Sequence, residues 1–308
     1  MKGSITMDYM GSITALMSSF GRAYHAKNSK NPVFADTAAE KLLSEQEYEF
    51  IKNHILQGIE FFEPDKKDTF KDETEALNYI INTHISPSPL CRAEYAETAL
   101  KTAVKTGTEQ YVILGAGFDT FALRNPEFMR SHKVFEVDKP KTQLQKQIRL
   151  QNAGIEPPEN LVFVPADPGK RGLGKKLENA GFDKSRKTFF SWLGVSYYLD
   201  IAEIEKMLDT LGKISADGSS VVFDFADEGL FEASNRRVQN MLSLALAGGE
   251  PMKTCFSYAD LEKLLEKHNF LIYEMLTPKD IQEQIIDKKG ADMKAFEHIN
   301  YALAVYKK

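Results

Sequence analysis

Two short blocks constrain this chain more than anything else in it: Tyr111 to Arg124, "YVILGAGFDTFALR", and Val134 to Pro140, "VFEVDKP". In the first, an apolar run from Tyr111 to Leu114 stops at Gly115-Ala116-Gly117. In the second, another apolar run stops at Asp138, with Lys139 after it. A buried strand ending on two close glycines, beside a strand tipped by a carboxylate, makes the crevice in which an α/β sheet holds a nucleotide cofactor. Glycine adopts backbone angles, and permits approaches to a ligand, that a side chain forbids. Asp138 follows Gly117 by about 20 residues, the spacing at which a carboxylate takes hydrogen bonds from a ribose diol.

The texture around these blocks gives the fold class. From Gln110 onward, apolar runs alternate with helical patterns. Strands are predicted at Gln110–Leu114, Lys133–Val137, Leu161–Pro165, Thr188–Trp192 and Ser219–Phe225, with "FLIYEM" from Phe270 and a last strand from Ile299 to Lys307. Helices are predicted between them at Lys139–Ala153, Gly172–Ala180 and Ile201–Ser215, the last announced by Asp200 and by Glu203 three residues on. Ser257-x-x-Asp260 opens another helix, "ADLEKLLEKH". Such alternation predicts a doubly wound α/β sheet, with the last two strands as a terminal hairpin-like pair. Residues 1–106 read instead as helical: Ile13, Leu16, Met17, Phe20 and Tyr24 keep helical spacing within Ser12 to Ala26. Another helical stretch breaks near Ser44, and a further helix runs from Cys91 to Lys105. The expected division is a helical extension over 1–106 and a cofactor domain over 107–308. The latter carries an insertion at 226–256 whose helix includes "NMLSLALAGGE".

Composition removes several classes of function. A net charge of −5 over 308 residues gives no electrostatic case for nucleic acid. Cys91 and Cys255 are too few for a disulfide framework or a zinc site, and they fit a reducing compartment. The histidines, His25, His54, His84, His132, His268 and His298, have no metal-ligand spacing, so no metal is expected. No apolar stretch reaches the roughly 20 residues that span a bilayer. No basic segment with an apolar run opens the chain, so no signal peptide is expected and a cytoplasmic location is.

The glycine block also discriminates between cofactors. Gly115 to Thr120 is G-x-G, but Thr120 stands where a dinucleotide site needs a small residue against the helix. Asp119 stands at the helix start, where its charge opposes a diphosphate but suits backbone capping or a cationic amino-acid moiety. S-adenosylmethionine (SAM) has no phosphate and carries an ammonium and a sulfonium, so the chemistry leans toward it and away from NAD. At the next strand tip, Asp167 either meets an adenine amino group or simply starts the turn at Pro168-Gly169. Spacing leaves both readings open.

Several stretches together resemble one family: "VILGAGFDTFALR", "VFEVDKPKTQLQK", "FVPADPGK", "AGFDKSRKTFFSWLGVSYYL" and the N-terminal "SITALMSSFGRA" with "NPVFADTAAEKLL". They look like the leucine carboxyl methyltransferase-like family of class I SAM-dependent O-methyltransferases, in its bacterial branch. The resemblance implies a seven-stranded Rossmann-like methyltransferase sheet with an N-terminal helical extension, and a small-molecule acceptor. It implies that Arg92 pairs with the carboxylate of the methionine moiety, a match of guanidinium fork to carboxylate. Gly115, Ala116 and Gly117 would pass under the methionine and ribose, Asp138 with Lys139 beside it would hold the ribose hydroxyls, and Asp167 would meet the adenine. One cofactor-side position departs from the pattern: Leu193 precedes Gly194, where many members have Glu.

Methyl transfer from a sulfonium is an in-line displacement that needs orientation above all. Tyr197 and Tyr198, after the fourth strand, stand on the substrate side or serve as packing. Arg22, in the helix that resembles the family's substrate-side block, steers an anionic acceptor or lies on a solvated helix face. Leu242, Leu244 and Leu246 in the insertion form a lid or wall, core, or an oligomer contact. Two other functions compete: a SAM-binding module without turnover, for which Leu193 speaks, and an NAD-dependent oxidoreductase, against which Asp119 and Thr120 speak.

Overall fold

The computed structural model describes residues 13–308, so Ser12, the first residue of the expected opening helix, lies outside the described residues. Seven strands form a single sheet: β1 Gln110–Leu114, β2 Lys133–Asp138, β3 Leu161–Pro165, β4 Thr188–Trp192, β5 Ser220–Ala226, β6 Phe270–Leu276 and β7 Ile299–Tyr306. Their spatial order is β3-β2-β1-β4-β5-β7-β6. The first five are parallel, and β7 runs antiparallel between β5 and β6. The last two strands do pair, but β7 enters the sheet inside β6. Strand order reverses between β1 and β4, and at such a switch point the loops leaving the strand ends part and open a crevice.

Along β1, Tyr111 and Ile113 face one layer of helices while Val112 and Leu114 face the other. Burial on both sides is why these strands read as unbroken apolar runs. The first layer is dominated by α4, Pro87–Lys105, whose Leu90, Tyr95 and Leu100 pack near Phe189 and Val222. The second contains α8, Ile201–Ile214, and α10, Tyr258–Lys267, through Ile204, Leu208, Leu211, Leu261 and Leu265. Helix α6, Pro140–Asn152, links β2 to β3, and α7, Leu173–Asn179, links β3 to β4. The N-terminal helices, α1 Ile13–Asn28, α2 Glu45–Gln57 and α3 Glu73–Ile80, enclose a third cluster. There Leu16, Phe20, Ile55 and Ile80 join Phe118 from the glycine loop and Leu150 from α6.

The insertion helix, α9, spans Arg236–Ala247 and starts about a turn before its most apolar stretch. Asn235 caps it, its Oδ1 accepting from Val238 N at 2.9 Å. The polar first turn is held by Arg237, which is buried and donates to the carbonyls of Thr83, Lys294 and Ala295. Local apolar periodicity cannot register such a beginning. Residues 278–289, left without a predicted element, form short helical turns ahead of β7.

Candidate cofactor and acceptor site

The chain turns sharply as it leaves β1. Gly115 has φ +73° and Gly117 φ +50°, both in the left-handed region that side chains avoid. A Cβ on Gly115 would also lie 2.7 Å from Val195 Cγ2. The amides of Gly115 and Ala116 both donate to Val137 O, at 2.9 and 3.0 Å, which clamps the turn against β2. Asp138 completes the clamp: its Oδ2 accepts from Gly117 N and its Oδ1 from Lys139 N, each at 2.6 Å. Burial raises the carboxyl pKa of Asp138, and the two amides only partly offset this. A carboxylate offers about four acceptor positions, so two bonds leave capacity for a diol.

Beyond the glycines, Asp119 Oδ1 accepts from Phe121 N at 2.7 Å, a local turn leading into the one-turn helix α5, Phe121–Arg124, whose N-cap is Thr120. Thr120 is fully buried and donates to Asp36 at 2.7 Å, so the position a dinucleotide site keeps small is a polar anchor here. At the tip of β3, Asp167 Oδ1 accepts from Gly169 N at 3.1 Å, making the local turn, and the side chain stays 28% exposed.

A second polar group sits where β4 and β5 end. Arg92, from α4, donates through Nη1 to Tyr197 Oη at 3.1 Å and to Asp224 Oδ2 at 3.2 Å. Asp224 Oδ1 takes Gly194 N at 2.6 Å. Gly194 has φ +70°, and a Cβ there would lie 2.5 Å from the Arg92 guanidinium, so glycine is required for the arginine to lie flat on the loop. Leu193 beside it is half-buried against the apolar cluster. Asp224 joins all these groups and was not among the residues expected from sequence. Its only signal was a lone acid inside the apolar strand "SVVFDFA", a residue type rarely buried without a partner. Tyr197 is buried, and burial together with Asp224 holds its phenol well above its usual pKa. Tyr198 packs edge-on against it at 4.7 Å, and burial pushes its phenol up to about 12.

The N-terminal segment and the insertion meet above this region. Ala15 Cβ lies 3.5 Å from where a Gly117 Cβ would stand, and Thr14 Oγ1 donates to Glu250 at 2.8 Å. Lys253 N donates to Tyr197 O at 2.7 Å and Thr254 Oγ1 to Leu199 O at 2.6 Å. Within α9, Leu242 packs on the core, whereas Leu244 and Leu246 are 46% and 66% exposed. Arg22 is not on a solvated face. It is buried, ion-paired with Asp36, and donates to Phe118 O at 2.7 Å and Ser19 Oγ at 3.1 Å. An open cleft of about 590 Å³ lies elsewhere, behind α5, lined by Ala35, Lys41, Arg124 and Pro158 among others.

The donor set fits SAM. A phosphate-free nucleoside with an amino-acid tail asks for an uncluttered backbone turn, carboxylates at the tips of β2 and β3, and a guanidinium for its carboxylate. A diphosphate asks for vacant N–H groups at a helix start, and here Phe121 N is already taken by Asp119. Among the described residues, no group of three or more His, Cys, Asp or Glu side chains could hold a metal ion, and no helix is long and apolar enough to cross a membrane.

Known proteins bear on the same assignment. The leucine carboxyl methyltransferase family matches residues 15–212. The chain is 42% identical over 299 residues to YktD of Bacillus subtilis (strain 168), provisionally named an S-adenosyl-L-methionine-dependent methyltransferase, covering 96% of this chain and 98% of that one. A protein of Mycolicibacterium paratuberculosis (strain ATCC BAA-968 / K-10), provisionally named for the same activity, is 28% identical over 235 residues, 76% of this chain and 71% of its own. Among solved structures, a DUF574 family protein from Streptomyces avermitilis superposes with a TM-score of 0.53 at 15% identity, over 83% of this chain and 95% of its own. A protein from Thermobifida fusca, provisionally named a methyltransferase, gives 0.53 at 14%, over 82% and 95%. At such identities the structures bear on fold alone. The family match spans well over half the chain and includes the glycine loop, Asp138 and the Arg92 position, so this protein belongs to the leucine carboxyl methyltransferase family and is a SAM-dependent methyltransferase.

Proposed function

We propose that the protein methylates an oxygen of a small molecule, and that this oxygen belongs to a carboxylate. The bound SAM supplies an electrophilic methyl on its sulfonium. Gly115, Ala116 and Gly117 give it a backbone cradle, Asp138 with Lys139 beside it takes the ribose, Asp167 the adenine edge, and Arg92 with Leu193 the methionine end. Asp224 and Tyr197 keep the Arg92 guanidinium in place.

One observation carries the choice of acceptor. The tyrosines after β4 keep their protons at neutral pH, Tyr198 up to about 12 and Tyr197 beyond its ordinary range. Neither phenol serves as a base at neutral pH, and the carboxylate beside them, Asp224, is taken by Arg92 and Gly194 N, so this group offers a hydroxyl acceptor no free base. A carboxylic acid with an ordinary pKa of about 4 is already ionised, and its transfer rests on proximity and orientation. A second reading, a SAM-binding module without turnover, draws on Leu193 in place of the acid common in the family.

The test has two stages. Titration calorimetry with S-adenosylhomocysteine, beside NAD and with Asp138→Ala, is expected to give binding of the first only, weakened by the mutation. Radiolabelled methyl transfer to a panel of carboxylic acids and matched alcohols and phenols is then expected to yield alkali-labile products from the acids. Alkali-stable ethers alone would overturn the carboxylate assignment, and binding without turnover across the panel would favour the second reading.

A further inference from the structure

Asp36 lies in the segment between α1 and α2, far in sequence from the glycine loop, and is wholly buried. Its Oδ2 accepts from Thr120 Oγ1 at 2.7 Å and pairs with Arg22 Nη1. Its Oδ1 accepts from Ala38 N at 3.2 Å and Ala39 N at 3.0 Å and stands 3.3 Å from Arg124 Nε. Arg124 Nε also donates to Thr120 Oγ1 at 2.9 Å. Arg22 in turn donates to the carbonyl of Phe118 at 2.7 Å. The N-terminal segment therefore grips the loop on both sides of Asp119, by the carbonyl before it and the hydroxyl after it. Asp138 grips the same loop from inside, at Gly117. Burial alone would disfavour the Asp36 carboxylate, but two guanidiniums and the Thr120 hydroxyl outweigh it and hold its pKa below the ordinary value.

We propose that Asp36 is a positioning residue of the cofactor loop, fixing its outer turn through Thr120 and Arg22 so that SAM binds a preformed cradle. The proposal rests on the assignment of the glycine loop as the cofactor site. A loop with only its inner clamp samples more conformations, and binding must then order it at a cost in affinity. A role in folding alone would lower the unfolding temperature and leave affinity unchanged wherever the protein is folded.

The test uses the full chain and four variants: Thr120→Val, Thr120→Ser, Asp36→Asn and Asp138→Ala. S-adenosylhomocysteine affinity is measured by calorimetry well below each unfolding midpoint, and hydrogen exchange is followed in the ligand-free loop peptide over 115–121. Loss of a buried hydrogen bond to a charged group is expected to weaken binding about tenfold in Thr120→Val. Asp36→Asn is expected to do at least as much, both with faster loop exchange, and Thr120→Ser to restore affinity and exchange. If Asp36→Asn fails to fold, the Thr120 pair decides alone. Wild-type affinity and loop exchange in Thr120→Val, whatever its melting temperature, would overturn the proposal while leaving the site intact if Asp138→Ala still weakens binding. Unchanged binding in Asp138→Ala would remove the loop as the cofactor site and the proposal with it.

Discussion

Two titratable groups, the half-buried phenol of Tyr198 and the buried carboxyl of Glu136, are expected to give this protein distinct pH signatures. Tyr198 bears on the proposed reaction. With its phenol pushed up to about 12, it remains neutral through the ordinary range, so no ionisation of Tyr198 enters the rate. Methyl transfer to a carboxylic acid is expected to be level from about pH 7 to about pH 10, with Tyr198→Phe giving the same profile. A rise in rate near pH 10 that Phe abolishes would make Tyr198 a base. Glu136 bears on stability. It and Lys146 form an ion pair with both side chains 2% exposed. Burial outweighs the attraction of Lys146 and raises the Glu136 carboxyl to about 7. A folded pKa above the unfolded one means that stability is greatest below the unfolded value and is lost as pH rises through the folded one. Lys146→Met removes the cation that holds the Glu136 carboxyl down, so the carboxyl pKa rises further in the folded variant. The expected loss, from urea unfolding, is greater near pH 8, where Glu136 of the unaltered protein is ionised, than near pH 5, where it is protonated, by about 1 kcal/mol, the linkage of one proton over one pH unit. An equal loss at both would refute the assignment.

At the scale of elements, helix caps are local and measurable. Asp200 caps α8 in a reciprocal box with Glu203, and Ser257 caps α10 through Asp260 N at 3.1 Å. Asp200→Ala is expected to cost about 1 kcal/mol in chemical denaturation, and a value near zero would mean that packing alone fixes the start of α8. Both caps were legible in the sequence because donor and acceptor lie three residues apart. The parallel strands were legible because burial on both faces writes an apolar run. Gly115, Gly117 and Asp138 were legible because one β-loop-helix-β unit contains them all. The rest depends on contacts that no local pattern encodes. Thr120 meets Asp36 across 84 residues and Arg92 meets Asp224 across 132. Arg22 looks from its helix like a surface residue until Asp36 arrives beside it. The start of α9 depends on carbonyls from residues 83, 294 and 295, and the entry of β7 inside β6 depends on its antiparallel pairing with β5, more than 70 residues earlier.

At the scale of the molecule, the question is whether the helical extension and the sheet are separable. A division at residue 106 places α4 with the extension. Yet Leu90, Tyr95 and Leu100 of α4 cover one face of the sheet, with Tyr95 stacked on Tyr301 at 5.6 Å. Burying each such side chain contributes roughly 2 kcal/mol, set against a net stability of about 5–15 kcal/mol for a typical fold. The cap is tied in further by Asp36 to Thr120 and by Arg149 of α6 to Glu47 of α2, at 2.6 and 2.7 Å. Charged groups wholly buried, as Asp36 is, or partly buried, as Arg149 and Glu47 are, hold a junction shut, since parting them leaves each without its partner. The fragment 107–308 is therefore expected to be insoluble or unfolded, and the whole chain to melt as one unit. Trp192, the single tryptophan, is buried on β4 and reports the sheet by fluorescence. Hydrogen exchange of residues 45–80 reports the cap. Coincident unfolding by both probes is expected, with S-adenosylhomocysteine raising both midpoints together. A cap that opens first, with Trp192 fluorescence unmoved, would make the extension a separate unit and residue 106 a real boundary.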